Sequence, residues 1–143
     1  MVDRIVLGLA VLGTLACVGV HVAAYLGHPA TFGATVGLMG GALLVWGYAI
    51  RRAREAYQTI NAKGLWTAVV RECPWLKPAF YLLVLYFAVH WARMLYVVGV
   101  EGDRTIRPGP WALFASAGAA AFYVGSSAFL LASRKAHQSV AQG

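Results

Sequence analysis

Residues 79–100 read AFYLLVLYFAVHWARMLYVVGV. This run is long enough to cross a bilayer as a single helix, because a membrane-spanning helix needs about 20 mostly apolar residues. It nevertheless contains a titratable ring, His90, and a fixed positive charge, Arg93. Polar side chains at membrane depth are costly, so these two positions indicate where a functional site would lie.

The composition places the chain among integral membrane proteins. Of its 143 residues, 60% are hydrophobic and only 12% are charged. A soluble domain is roughly half apolar and one quarter charged, and a fold of this size could not hide so much apolar surface from water. Lipid solvates apolar faces directly, so the sequence predicts a protein of the bilayer.

Four stretches have the length and composition of membrane-spanning helices. They are rich in Leu, Ala, Val and Gly, and none shows the alternation of apolar and polar residues that is typical of barrel strands. The sequence therefore predicts an all-α integral membrane four-helix bundle, formed as a single transmembrane domain by residues 1–143. The predicted spans are 5–26, 32–50, 79–100 and 111–132.

The connection between the second and third spans, residues 51–78, is not a simple loop. Its first part is expected to extend the second helix and to end at a C-cap-like sequence near 61–64. A short interfacial helix is expected over 65–72, with Trp66 and Trp75 as anchors at the membrane surface. We interpret the connector as an amphipathic segment that lies on the membrane. A docking face for a cytoplasmic partner is the alternative.

Basic residues are distributed unevenly between the predicted loops. Lys and Arg collect in cytoplasmic loops, and the 27–31 connection has none, whereas the connector holds Arg51, Arg52, Arg54, Lys63, Arg71 and Lys77. We therefore expect a bacterial cytoplasmic membrane protein with both termini and the connector in the cytoplasm and the 101–110 loop outside. This bias explains the net charge of +7, and the basic connector would also be attracted to anionic lipid. No aromatic–basic pattern indicates nucleic-acid binding.

Small residues recur every fourth position in the second and fourth predicted spans. Such spacing lets two helix backbones approach closely in lipid. We expect these faces to form packing seams inside the bundle, and a seam between two copies of the chain is the alternative. The residues are Gly33, Gly37, Gly41, Ala117, Ala121 and Gly125.

Two predicted spans carry polar residues at a similar depth. His21 and Tyr25 are four residues apart in the first span, so they share a helix face. Tyr86 and His90 have the same spacing in the third span, and Arg93 follows one turn later. Because both spans are expected to run outward, these five residues are predicted to form one polar cluster in the outer half of the membrane. This cluster is the candidate ligand-binding site.

The chemistry open to this cluster is limited by what the spans lack. No Asp or Glu lies inside a predicted span, which argues against proton-coupled transport, and no Ser or Cys is paired with a His and an acid. A zinc site would need a third ligand, such as His28, beside His21 and His90. Haem b could be held between His21 and His90, although their expected depths differ by about 5 Å, one helical turn.

Two stretches resemble an uncharacterised family of small bacterial four-span membrane proteins. They are CPWLKPAFYLLVLYFAVHW at 73–91 and PGPWALFASAGAAAFYVGSS at 108–127. In that family a Cys-Pro segment precedes the third span, and a Gly-His-Trp-Met-x-Phe-Tyr motif opens the fourth. Here the motif's aromatic residues are kept at Trp111 and Phe114, whereas its His and Tyr are replaced at Pro110 and Ala115. The resemblance implies four spans and a bacterial source, and it carries no activity.

These features favour a non-enzymatic role. We expect an accessory or scaffolding subunit that binds lipid, another membrane protein or a second copy of itself. The alternative is an electron-transfer protein with haem or a quinone between His21 and His90. A small oligomeric transporter is the third interpretation.

Overall fold

The computed structural model describes residues 2–58, 61–100 and 108–141, and this part of the chain is almost entirely helical. Its helices are α1 Val2–Tyr25, α2 Phe32–Tyr57, α3 Ala62–Glu72, α4 Leu76–Val100 and α5 Pro108–Ala141. Four of them, α1, α2, α4 and α5, are long and apolar enough to cross a membrane. Most of the predicted 101–110 loop lies outside the described residues.

α5 is the central helix, and α1, α2, α3 and α4 all pack against it. In its apolar span 67% of the residues are buried, against 11% in α1 and 6% in α4. Its composition is compatible with this position, because Ala, Gly and Ser on several faces let other helices approach from several directions. The other helices are therefore arranged around α5 and do not form a ring of equal neighbours.

The turn between α1 and α2 is set by the local sequence. Gly27 has φ +82°, a left-handed conformation that glycine adopts without strain. The His28 amide donates to the Ala23 carbonyl over 2.8 Å and closes the end of α1 in a Schellman-type motif. Thr31 then caps α2, because its hydroxyl accepts from the Ala34 amide at 3.3 Å. A short turn therefore joins the two antiparallel helices.

The connector differs from the sequence-based expectation at one point. α2 does extend beyond the predicted span, but it ends at Tyr57, and Gln58 takes up a left-handed conformation with φ 48°. The predicted C-cap at 61–64 is instead the start of α3, since the Asn61 side chain accepts from the Lys63 amide at 2.9 Å. Asparagine can cap either end of a helix, so its presence alone does not distinguish an end from a beginning.

α3 buries one face against the bundle. Leu65 and Val69, four residues apart, lie in a core formed with α2 and α5. Trp66 is half-buried and packs against Phe80 with ring centroids 5.0 Å apart, whereas Trp75 is exposed. Of the two expected anchors, Trp75 is the more exposed, because Trp66 is partly used in packing.

The packing face of α2 does not include Gly33 or Gly37. Both are exposed, and a Cβ added to either would meet no heavy atom within 4 Å. Gly41 differs, because the Tyr123 hydroxyl lies against it. α2 faces the bundle with a row of buried residues, namely Thr35, Ala42, Ala49 and Ala53. Gly33 and Gly37 therefore take no part in packing among the residues that the structure describes, and a seam between two chains stays a prediction.

Close helix contacts are made where an aromatic ring covers a glycine. Gly125 of α5 lies under the Trp46 ring, and an added Cβ would come within 2.5 Å of a ring carbon. Gly13 of α1 is covered in the same way by the Tyr123 ring. Ala117 is buried within α5. The small residues of α1 and α5 thus accept rings from α2 and α5, which brings the three helices together.

One end of the molecule is held by a charged network that sequence patterns do not indicate. This end contains Asp3, Arg52 and Arg134, and we call it the basic end. Asp3 accepts from the Tyr48 hydroxyl at 2.6 Å and from Arg52 at 3.1 Å. Arg52 also donates to Glu55 at 2.7 Å. The network joins the start of α1 to the end of α2.

Candidate functional site

Four aromatic rings from two helices meet at the end of the bundle opposite the basic end. α1 supplies His21 and Tyr25 and α4 supplies Tyr86 and His90, and we call these four residues the ring cluster. The His21 ring centroid lies 5.3 Å from those of Tyr25 and Tyr86 and 5.2 Å from that of His90. The Tyr86 and His90 centroids are 4.5 Å apart. The spacing of four residues directs each pair to one face of its helix, and the two faces meet.

His21 is hydrogen-bonded through both ring nitrogens. Its Nδ1 lies 2.8 Å from Oγ of Ser116, and its Nε2 is hydrogen-bonded to the Tyr86 hydroxyl. Ser116 donates to the Leu113 carbonyl at 3.2 Å. In either tautomer of the neutral ring, one nitrogen of His21 donates and the other accepts, so Ser116 and Tyr86 together satisfy both. His21 is satisfied as a neutral ring, the form that an apolar environment favours.

Ser116 belongs to the site although its local sequence does not distinguish it. It is 1% exposed and lies on α5, which packs against both α1 and α4. Serines in apolar helices commonly donate to a carbonyl of their own helix, as Ser126 and Ser127 do here. The contact with His21 depends on the central position of α5, which the sequence does not reveal.

His90 carries an unsatisfied nitrogen inside the ring cluster. The residue is 5% exposed, and its Nε2 is buried without a hydrogen-bond partner among the described residues. A buried polar atom without a partner costs roughly 1–3 kcal/mol. Such atoms are rare in native proteins and commonly mark the position of a water, an ion or a ligand. Nε2 of His90 is therefore a polar atom of the ring cluster that lacks a hydrogen bond within the described residues.

The ring cluster is open on its outer side. Tyr25 is 58% exposed and Tyr86 is 39% exposed. Within the described chain, α1 and α4 are not among the helix pairs whose backbones pack closely, so side-chain rings bridge them. A molecule can therefore approach the cluster from the side, between the two helices.

Arg93 and His28 lie outside the ring cluster. Arg93 is exposed, and among the residues that the structure describes no hydrogen bond joins it to the four rings. His28 is exposed as well, because α1 ends at Tyr25 and Gly27 turns the chain away before helical spacing could continue. The predicted five-residue cluster is thus four rings, with Arg93 one turn beyond them on α4.

The geometry does not suit a haem held between His21 and His90. Bis-histidine ligation places a porphyrin plane between two imidazoles, each with a nitrogen available to the iron. Here the two rings touch edge to face at 80°, and both nitrogens of His21 are hydrogen-bonded. The described residues also contain no group of three His, Cys, Asp or Glu side chains that could hold a metal ion. A quinone needs only hydrogen bonds to its carbonyls, so these observations do not oppose it.

The contact between His21 and Ser116 lacks the features of a catalytic pair. In a serine hydrolase an acid orients the histidine, and the serine oxygen is available for attack. Here the second partner of His21 is the Tyr86 hydroxyl, and Ser116 is buried with its proton donated to a carbonyl. The arrangement holds the His21 ring in place and does not present a nucleophile.

An apolar groove of about 300 Å³ lies along α4. It is lined by residues of α2, α4 and α5, namely Trp46, Phe80, Leu83, Val84, Phe87, Gly118, Ala121 and Phe122. Ala121, expected in a helix–helix seam, is therefore part of an open surface. Its lining residues are all apolar, so the groove offers contact area but no group that would orient a ligand.

No protein-family model matches this chain, and neither a curated protein nor a solved structure matches it. The resemblance to the family of small bacterial four-span proteins therefore stays a prediction. The function is argued from the geometry.

Proposed function

We propose that this protein is a non-enzymatic integral membrane protein whose ring cluster binds a lipid-soluble molecule with a hydrogen-bonding head group. The occupant is a lipid or a quinone. The observation that carries the proposal is the buried, unpartnered Nε2 of His90. The length and apolar composition of the four long helices support a location in the bilayer.

The ring cluster has the composition of a small-molecule site. Such sites are mostly apolar and orient the ligand with a few polar groups. Nε2 of His90 supplies one hydrogen bond, as donor or acceptor according to its tautomer. Tyr25 and Tyr86 place exposed rings beside it, against which a flat or aliphatic group can pack. The tail of the ligand would remain in the lipid between α1 and α4.

His21 is assigned a positioning role in this site. Its two ring nitrogens are bonded to Ser116 and Tyr86, so neither is available to a ligand. The same bonds hold the Tyr86 ring against His90. The two histidines therefore have different roles. His21 holds the Tyr86 ring in position, and His90 forms the hydrogen bond to the head group.

Native mass spectrometry of the detergent-purified protein tests this proposal. The wild-type chain is expected to retain a lipid-soluble molecule, and His90→Phe is expected to bind it at least about tenfold more weakly. Phenylalanine keeps the ring contacts but removes a hydrogen bond worth about 1.5 kcal/mol. An absorbance spectrum of the same sample distinguishes a quinone from a lipid.

Tyr96→Phe is the matched control for this experiment. Tyr96 is exposed on the same helix and is not part of the ring cluster, so its substitution is expected to leave the occupancy unchanged. A wild-type protein that carries no such molecule would contradict the proposal. Equal retention by wild type and His90→Phe would do the same.

A scaffolding role through α4 is the second candidate. In the described chain the backbone of α4 lies close only to that of α5, and α4 exposes a row of large apolar residues that includes Leu82, Leu85 and Val89. A helix of another membrane protein would cover this face. A photo-crosslinking residue at Leu85 should then give a protein adduct, whereas one at Leu12 of α1, also exposed, should give lipid adducts alone.

We also propose that the four long helices cross the bacterial cytoplasmic membrane with the basic end inside. The Lys and Arg residues of the connector support this orientation. A cysteine at His28 should react with an impermeant maleimide added to intact cells, and a cysteine at Lys63 should react only after lysis. Both positions are exposed, whereas the native Cys17 and Cys73 are buried. The opposite labelling pattern would invert the orientation.

A further inference from the structure

The basic end contains a cavity that is separate from the ring cluster. Its volume is about 330 Å³, and it is lined by Asp3, Arg4, Arg134, His137 and Gln138. The start of α1 supplies the first two residues, and the last turns of α5 supply the other three. The cavity therefore lies between two helices and has two arginines in its wall.

The single carboxylate in this wall is already occupied. Oδ1 of Asp3 accepts from the Tyr48 hydroxyl at 2.6 Å and from Nε of Arg52 at 3.1 Å, and Oδ2 accepts from Nη2 of Arg52 at 3.1 Å. Within the described residues neither Arg4 nor Arg134 forms an ion pair. Asp3 is thus paired with Arg52, and the cavity retains the charge of the two other arginines.

Arg134 provides a second, independent observation. Its Nη2 is buried and has no hydrogen-bond partner in the part of the chain that the structure describes. A guanidinium is always charged, and its planar set of N–H donors matches the oxygens of a phosphate. Arg134 lines the cavity beside a second arginine, and two guanidinium groups in one wall favour an anion with more than one oxygen.

We propose that this cavity binds the phosphate group of a phospholipid head group. Arg134 donates to the phosphate oxygens from α5, and Arg4 adds positive charge from the neighbouring helix α1. The proposal rests on the proposed location in a membrane and does not depend on the ring cluster. Both arginines lie near the ends of long apolar helices, and the head groups of a bilayer lie at that level.

Binding of phosphatidylglycerol to the full chain in detergent, followed by native mass spectrometry, tests the site. Arg134→Gln is expected to weaken binding about tenfold, because a charge-assisted hydrogen bond is lost. Arg4→Gln, on the other helix, is expected to weaken binding about threefold, because it removes one positive charge but leaves Arg134 in place. Arg54→Gln is the matched control, since Arg54 is an exposed arginine of the same end, and binding should be unchanged.

Inorganic phosphate is the second probe, and it distinguishes the two sources of a phosphate group. If millimolar phosphate does not displace the lipid, the assignment to a phospholipid is supported. Displacement at that concentration would overturn it in favour of free phosphate. Equal losses in Arg134→Gln and Arg54→Gln, or no loss in either of the cavity variants, would overturn the site itself. His90→Phe should not change this binding, so failure of the ring-cluster proposal is seen separately.

Discussion

Gly125→Leu is expected to lower the free energy of unfolding by at least about 2 kcal/mol, because it overpacks a close contact. The Trp46 ring lies on this glycine, and the added Cβ alone would come within 2.5 Å of a ring carbon. The ring cannot turn aside easily, since it also packs against Phe122 and Phe129 with centroids 5.7 and 5.1 Å away. The unfolding temperature in detergent, followed by circular dichroism, measures the loss.

Gly37→Leu is the matched control for that variant. It adds the same side chain to the neighbouring helix α2, at an exposed position with open space around it. Replacing a glycine inside a helix also removes an entropic cost of roughly 0.5–1 kcal/mol. The unfolding temperature should therefore stay the same or rise slightly. A loss as large as that of Gly125→Leu would show that Gly37 packs against something, and a second copy of the chain would then be the first candidate.

His90→Phe and His21→Phe are expected to change stability in opposite directions. His90→Phe removes a buried polar atom that has no hydrogen-bond partner among the described residues, so the free energy of unfolding should rise by about 1–2 kcal/mol. Replacing His21 breaks its bonds to Ser116 and Tyr86, and stability should fall by about 1–3 kcal/mol. Replacement by Phe thus distinguishes a histidine that binds a ligand from one that stabilises the fold.

Unfolding temperatures of the two variants, measured after delipidation, provide the test. Delipidation matters because a ligand bound to the folded state would itself stabilise the wild-type protein. If His90→Phe loses as much stability as His21→Phe, Nε2 of His90 has a structural partner, and the argument for a ligand at that atom fails.

The helices of the fold follow closely from the sequence, whereas one helix boundary and one packing face do not. The four long helices appear where long apolar runs predict them, because length and composition act locally. Asn61 was predicted at a helix end and instead opens α3, since its side chain can cap either terminus. Gly33 and Gly37 were expected in a seam on spacing alone, but spacing does not reveal which face of a helix meets a neighbour.

The site was predictable to the extent that it depends on spacing within a helix. His21 and Tyr25, and likewise Tyr86 and His90, share faces through the regular turn of α1 and α4, and these residues do meet. Ser116 could not be predicted, because its part in the site requires α5 to lie against both helices. The hydrogen-bond network of Asp3 at the basic end could not be predicted either, because its partners are far apart in sequence.

The sequence by itself determined that this chain has four helices fit for a bilayer, a basic connector and two pairs of polar rings on helix faces. Those properties depend on composition and on contacts between residues three or four apart, which every helix makes in the same way. Only the tertiary structure decided that α5 is central and that, among the described residues, both nitrogens of His21 have partners whereas Nε2 of His90 and Nη2 of Arg134 have none. These outcomes depend on which helices lie side by side, and helices of similar apolar character do not encode that choice in any local pattern.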